Sequence, residues 1–181
     1  MLQRRHFFIS CLLVGAFLLT SIFSLVSVSA AQAATGDLAC RAKFQINFNP
    51  ALTATQTMAQ TSDTAEFTGC TSLNGNHKDL KSATVQAAGP ATSTSGVPCN
   101  LLLTVNGTGT VKWNTGQTSG FSFTVNTDPT KGTITLSANI TSGPLSGDTI
   151  TAVPVIAHPN LNCAIKGLTS LTSELTTVTF A

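Results

Sequence analysis

Beyond residue 33, few groups could do chemistry. They are the cysteines Cys40, Cys70, Cys99 and Cys163, the histidines His77 and His158, and the carboxylates Asp37, Asp63, Glu66, Asp79, Asp128, Asp148 and Glu174. A serine hydrolase needs a base within reach of its nucleophile. Neither G-x-S-x-G nor S-x-x-K occurs, and the two histidines are far apart in the chain. Glycoside hydrolysis needs two facing carboxylates, but Asp79, Asp128 and Asp148 sit in turn sequences, where Asp serves the backbone. No C-x-x-C pair is present to begin a zinc set. These patterns predict no catalytic residue, no metal site and no cofactor.

An even number of cysteines suits disulfides in an oxidising compartment. With all four cysteines paired, no thiol nucleophile remains. Three pairings are possible, and spacing alone does not choose among them. The best-populated candidate site is the loop "TSLNGNHKD" (71–79), which gathers Asn74, Asn76, His77, Lys78 and Asp79 beside Cys70. Loops held on a rigid sheet are where binding groups concentrate, although a solvated turn uses the same residue types.

The N-terminus supplies an address. "MLQRRH" is basic, residues 7–28 carry no charge, and "SAAQAATG" follows with Ala31-Gln32-Ala33 as an A-x-A site. That succession predicts a signal peptide over 1–33 and a secreted, extracellular domain over 34–181. The competing reading is an uncleaved membrane anchor, since an apolar run of this length can span a bilayer. Arg4-Arg5 resembles the start of a twin-arginine signal, but the apolar run is very hydrophobic for that route. Asp37 spoils a lipobox before Cys40. Of nine Lys and Arg side chains, Arg4 and Arg5 leave with the signal, so seven basic groups face seven acidic ones. Nucleic-acid binding needs clustered basic residues, and these are scattered. No nucleic acid and no membrane are expected as partners of the mature chain, which reads as a monomer.

The elements carrying these residues read as strands. In "CRAKFQINF", Cys40, Ala42, Phe44, Ile46 and Phe48 alternate with polar residues, the period-two mark of a half-buried strand ended by Asn49-Pro50. Further strands are expected over 62–69, 80–88, 97–105, 109–114, 118–126, 132–140, 148–157 and 170–180. Turn sequences such as "NGNHKD", "GPATSTSG", "NGT" and "SGPLSGD" lie between them. Such a run of short strands predicts an all-β fold. The expected architecture is an antiparallel β-sandwich of about eight or nine strands with two disulfides, with a small β-barrel as the alternative.

Register bears on Trp113, the only tryptophan. A three-residue loop, Asn106 to Thr108, would set Leu103 against Val111 and Leu101 against Trp113, a match that a two-residue turn would spoil. Trp113 then points into the core and is not a platform for sugar stacking. Phe44, Phe48, Phe67, Phe121 and Phe123 share inward parity, while the orientation of Phe180 is open.

Cys99, Trp113 and Cys163 are spaced much as the two cysteines and the core tryptophan of an immunoglobulin domain. Leu161 stands where that family has a tyrosine, so the chain resembles the architecture without belonging to the family. The resemblance favours a Cys99–Cys163 bridge across facing strands and leaves Cys40–Cys70 to close the N-terminal strands. More broadly, "FTGCTSLNG" (67–75), "GTGTVKWNTGQTS" (107–119), "LSGDTITAV" (145–153) and "NCAIKGLTSLTS" (162–173) resemble small secreted proteins of Gram-positive, especially filamentous, bacteria. That resemblance implies a secreted all-β domain with disulfides and assigns no functional residue.

The functional expectation is a non-catalytic extracellular module that binds another protein or a polymer. One alternative is a secreted protease inhibitor presenting "GPATSTSGVPC" (89–99). The other is a small hydrolase using His77 or His158.

Overall fold

Alternation of apolar and polar side chains produces most of what is seen. The computed structural model describes residues 36–94, 99, 102–128, 131–152 and 154–181. The proposed signal peptide, 1–33, lies outside the described residues. Among them are ten strands: β1 (Leu38–Leu52), β2 (Met58–Ser72), β3 (Ala83–Ser93), β4 (Leu103–Trp113), β5 (Thr118–Asp128), β6 (Thr133–Ser142), β7 (Thr149–Ala152), β8 (Val155–Pro159), β9 (Leu168–Ser173) and β10 (Thr176–Phe180). A single helical turn, α1 (Cys163–Lys166), interrupts the β8–β9 connection.

The sheet is not the expected sandwich. Each long strand pairs antiparallel with the next from β1 to β6, and β1 also pairs with β10 and β9. β7 and β8 lie end to end along β6, and β10 and β9 lie end to end along β1. The two broken strands complete an eight-strand barrel with no free edge. Period-two alternation is common to both architectures, because each has one apolar face and one wet one. The pairing of the first strand with the last is what makes this a barrel.

The ring is staggered, as closure requires. Phe48 stands opposite Thr61, and Thr61 opposite Gly89, which lies against Gly107. The path continues through Phe123, Ala138, Ile150 and Phe180, and returns to β1 at Leu38. β1 also shifts register against β2 between Ala39 and Arg41. There Gly69 of β2 takes a left-handed φ of 57° and accommodates the extra residue of a bulge.

Two expected turns are strand. The hairpin loop at Asn106–Thr108 does not exist: β4 runs straight through it, pairing with β3 and β5 along its length. Its glycines serve close approach. A Cβ on Gly107 would stand 2.7 Å from the Phe123 ring, and one on Gly109 would stand 2.5 Å from the Phe121 ring. Likewise "GPATS" continues β3 to Ser93, with Pro90 paired to Gln60 on the β2 side. A proline has no N–H to donate, and the ladder with β4 skips from Ala88 to Ala91. At the first strand, β1 runs past Asn49-Pro50 to Leu52.

The inward parity of Trp113 survives the loss of the hairpin. It is 2% exposed, and its indole N–H donates to Ser119 Oγ at 2.9 Å. The Ser119 hydroxyl in turn donates to the Pro144 carbonyl at 2.6 Å. Phe180, whose direction alternation left open, is fully buried. Its ring centroid lies 5.8 Å from those of both Phe67 and Trp113, so three aromatics plug one end of the barrel.

Both disulfides are those favoured above, Cys40–Cys70 and Cys99–Cys163. The first joins neighbouring strands at the bulge. The second does not cross facing strands, as the immunoglobulin-like spacing suggested. It ties the β3–β4 connection to α1, at the end of the barrel away from Trp113.

Candidate functional site

The candidate loop 71–79 joins β2 to β3 at the Trp113 end, and Asn74 and His77 in it are tied to neighbouring groups of the chain. Asn74 Oδ1 accepts from the Asn76 N–H at 2.9 Å, and Asn74 Nδ2 donates to the Asp37 carboxylate. The His77 N–H donates to Ser72 Oγ at 3.1 Å, while His77 Nε2 stands 3.8 Å from Asp37 Oδ2. Lys78 and Asp79 are exposed, and the Asp79 carbonyl accepts from the Asn114 amide. Asp148 belongs to the same neighbourhood. Burial and then the Asp37 charge raise its carboxyl above the ordinary range, with His77 acting the other way. The loop is therefore a braced turn. His158 sits near the opposite end, paired with Glu174 at 3.1 Å in the open. Among the described residues, no group of three or more His, Cys, Asp or Glu side chains could hold a metal ion.

The segment 89–99, expected to be the presented loop if the protein were an inhibitor, is divided. Residues 89–93 are the end of β3, and 95–98 lie outside the described residues.

A different site emerges inside the barrel. An eight-strand barrel is just wide enough to be filled by its own side chains or to hold one small ligand. Here the inner faces of β2, β3 and β4 carry unusually small residues at mid-height: Ala65, Ala87, Gly89, Gly107 and Gly109. The Phe121 and Phe123 rings, with centroids 5.9 Å apart, lean across from β5 and take up part of the space. A cavity of about 70 Å³ remains, bordered by Phe44, Asp63, Ala65, Ala87, Phe121 and Leu136 among others. Phe44, Ala65, Ala87 and Leu136 keep accessible surface despite their inward parity.

Asp63 is the one ionisable side chain at an inward position of the described strands. The register places it opposite Ile46 on one side and Ala87 on the other. Oδ2 accepts from the Thr61 hydroxyl at 3.0 Å. Oδ1 is buried and has no hydrogen-bond partner among the described residues. Burial pushes the carboxyl up to about 6, against the opposing effect of the Thr61 hydrogen bond. A carboxylate left unsatisfied in an apolar interior is costly, and such perturbed groups concentrate at functional sites. Sequence reading missed it, although the signal was present: Asp63 shares parity with Phe67 in the same strand.

No protein-family model matches the chain, and no curated protein or solved structure matches it.

Proposed function

We propose that this is a secreted, non-catalytic binding protein whose barrel interior takes a small ligand. The observation that carries the reading is the unfilled, almost wholly apolar cavity inside the barrel, with the Asp63 side chain in its lining. Ligand sites are mostly apolar with a few placed polar groups, and the mouths and interiors of barrels are among their common locations. Secretion rests on the basic, apolar and A-x-A succession in residues 1–33 and on two disulfides. The resemblance to small secreted bacterial proteins points the same way. Binding of a polymer or another protein through loop 71–79 has less support, because the Asn74 amide and its partner Asp37 are engaged within the chain.

Ala87→Leu tests the reading by filling the cavity from β3. A panel of small apolar and amphipathic compounds should raise the melting temperature of the wild-type protein and leave the folded variant unmoved. Equal stabilisation of both proteins would place binding elsewhere.

A further inference from the structure

We propose that Asn74 is a site of spontaneous deamidation, and that its conversion to a carboxylate releases loop 71–79 from the start of β1. Nothing in this depends on the barrel interior taking a ligand. The backbone nitrogen of Gly75 attacks Asn74 Cγ, a new N–Cγ bond forms and the Cγ–Nδ2 bond breaks. Ammonia leaves, carrying the proton that the Gly75 nitrogen gives up. Water then opens the cyclic imide at either carbonyl, leaving aspartate or its isomer with the backbone running through the side chain. Water is the only co-reactant.

Two Asn-Gly pairs occur in the chain, Asn74-Gly75 and Asn106-Gly107. Glycine puts no Cβ in the path of the attack and leaves its backbone free to turn. Asn74 is exposed, and Gly75 takes a left-handed φ of 84°. No acceptor among the described residues holds the Gly75 N–H. The Asn76 N–H donates to Asn74 Oδ1 at 2.9 Å, which draws electron density from Cγ and favours attack there. In β4 the same dipeptide cannot turn. Asn106 and Gly107 pair with Thr124 and Phe123 of β5, and Gly89 of β3 packs against them from the other side. Ring closure there would swing the peptide out of the ladder.

What Asn74 holds gives the change its effect. Its amide donates to the Asp37 carboxylate, while the Leu73 N–H and the Ser72 hydroxyl reach the Asp37 carbonyl at 3.1 and 3.3 Å. Deamidation removes the donor and sets two carboxylates face to face, where like charges repel. A Cβ on Gly75 would stand 3.7 Å from Lys78 Nζ. The new charge is therefore pushed from Asp37 and drawn towards Lys78. The loop's root stays fixed by Cys40–Cys70.

The full secreted chain is aged in neutral buffer, and its peptides are mapped by mass spectrometry with detection of isoaspartate. Residue 74 should convert at least about tenfold faster than residue 106, which must wait for β4 to open. An amide retained at 74, or conversion there no faster than at 106, would overturn the site. Asn74→Asp, the product itself, should speed amide hydrogen exchange of Leu73 and His77 about fivefold, the scale of one lost hydrogen bond, with β4 unchanged. Unaltered exchange at Leu73 and His77 would overturn the release. Aged wild-type protein, separated from the unaged form by its added negative charge, gives the same reading if the variant does not fold.

Discussion

At the scale of single residues, Asp63 should announce itself through pH. Its folded carboxyl titrates at about 6, against an ordinary 3.8. The native state therefore binds this proton more tightly than the unfolded chain does. Stability from this group is greatest below about pH 4, falls as pH rises to about 6, and is level above that. Asp63→Asn should abolish that decline and be more stable than wild type at pH 7. The gain should be on the order of 1 kcal/mol, reduced by the carboxylate's partial contact with solvent. Denaturant midpoints of the two proteins at pH 4 and pH 7 check this; parallel values would show an unperturbed carboxyl. Gly109 is the second telling residue. A methyl there would meet Phe121, Ala87 and the Gln86 carbonyl, each within 2.6 Å. Gly109→Ala should cost about 1–3 kcal/mol, and an unchanged unfolding midpoint would contradict the packing described. Both residues were visible as letters, but their roles were not. An aspartate in a threonine-rich strand looks solvated until the partner strands are known, and a glycine beside an asparagine looks like a turn.

At the scale of elements, β4 is the clearest divergence between pattern and structure. Asn106-Gly107 has strong hairpin chemistry, yet the segment pairs on both sides. Glycine in a strand interior also marks close approach of another group, and here Phe121 and Phe123 are that group. Alternation alone could not separate these uses, because either preserves the inward parity of Val105, Val111 and Trp113. Amide hydrogen exchange distinguishes them. Residues 106–109 should be protected to the same degree as the rest of β4, whereas a turn would exchange rapidly. The loop disulfide makes a second element-scale prediction. Cys99 and Cys163 are 64 residues apart, and Cys40 and Cys70 are 30 apart. On the chain-entropy account each bridge contributes up to about 4 kcal/mol by restricting the unfolded chain. Reductant should therefore lower the melting temperature steeply; an unchanged value would mean that the barrel's own packing suffices.

At the scale of the whole molecule, the all-β character was legible, the disulfide pairing was favoured only through the immunoglobulin-like spacing, and the closure of the sheet was not legible. The segments expected at 148–157 and 170–180 correspond to the two broken strands β7–β8 and β9–β10. What the pattern lacked was the long-range pairing of β9 and β10 to β1, which joins residues more than a hundred positions apart. That pairing is also what creates an interior, and so the functional proposal depends on it. Nuclear Overhauser effects across β1 test it most directly. Cys40 should show backbone contacts to Val178, and Ala42 to Thr176 on one side and Phe67 on the other. Contacts from β1 to β2 without any to β10 would leave an open sheet, with no barrel interior and no container for a ligand.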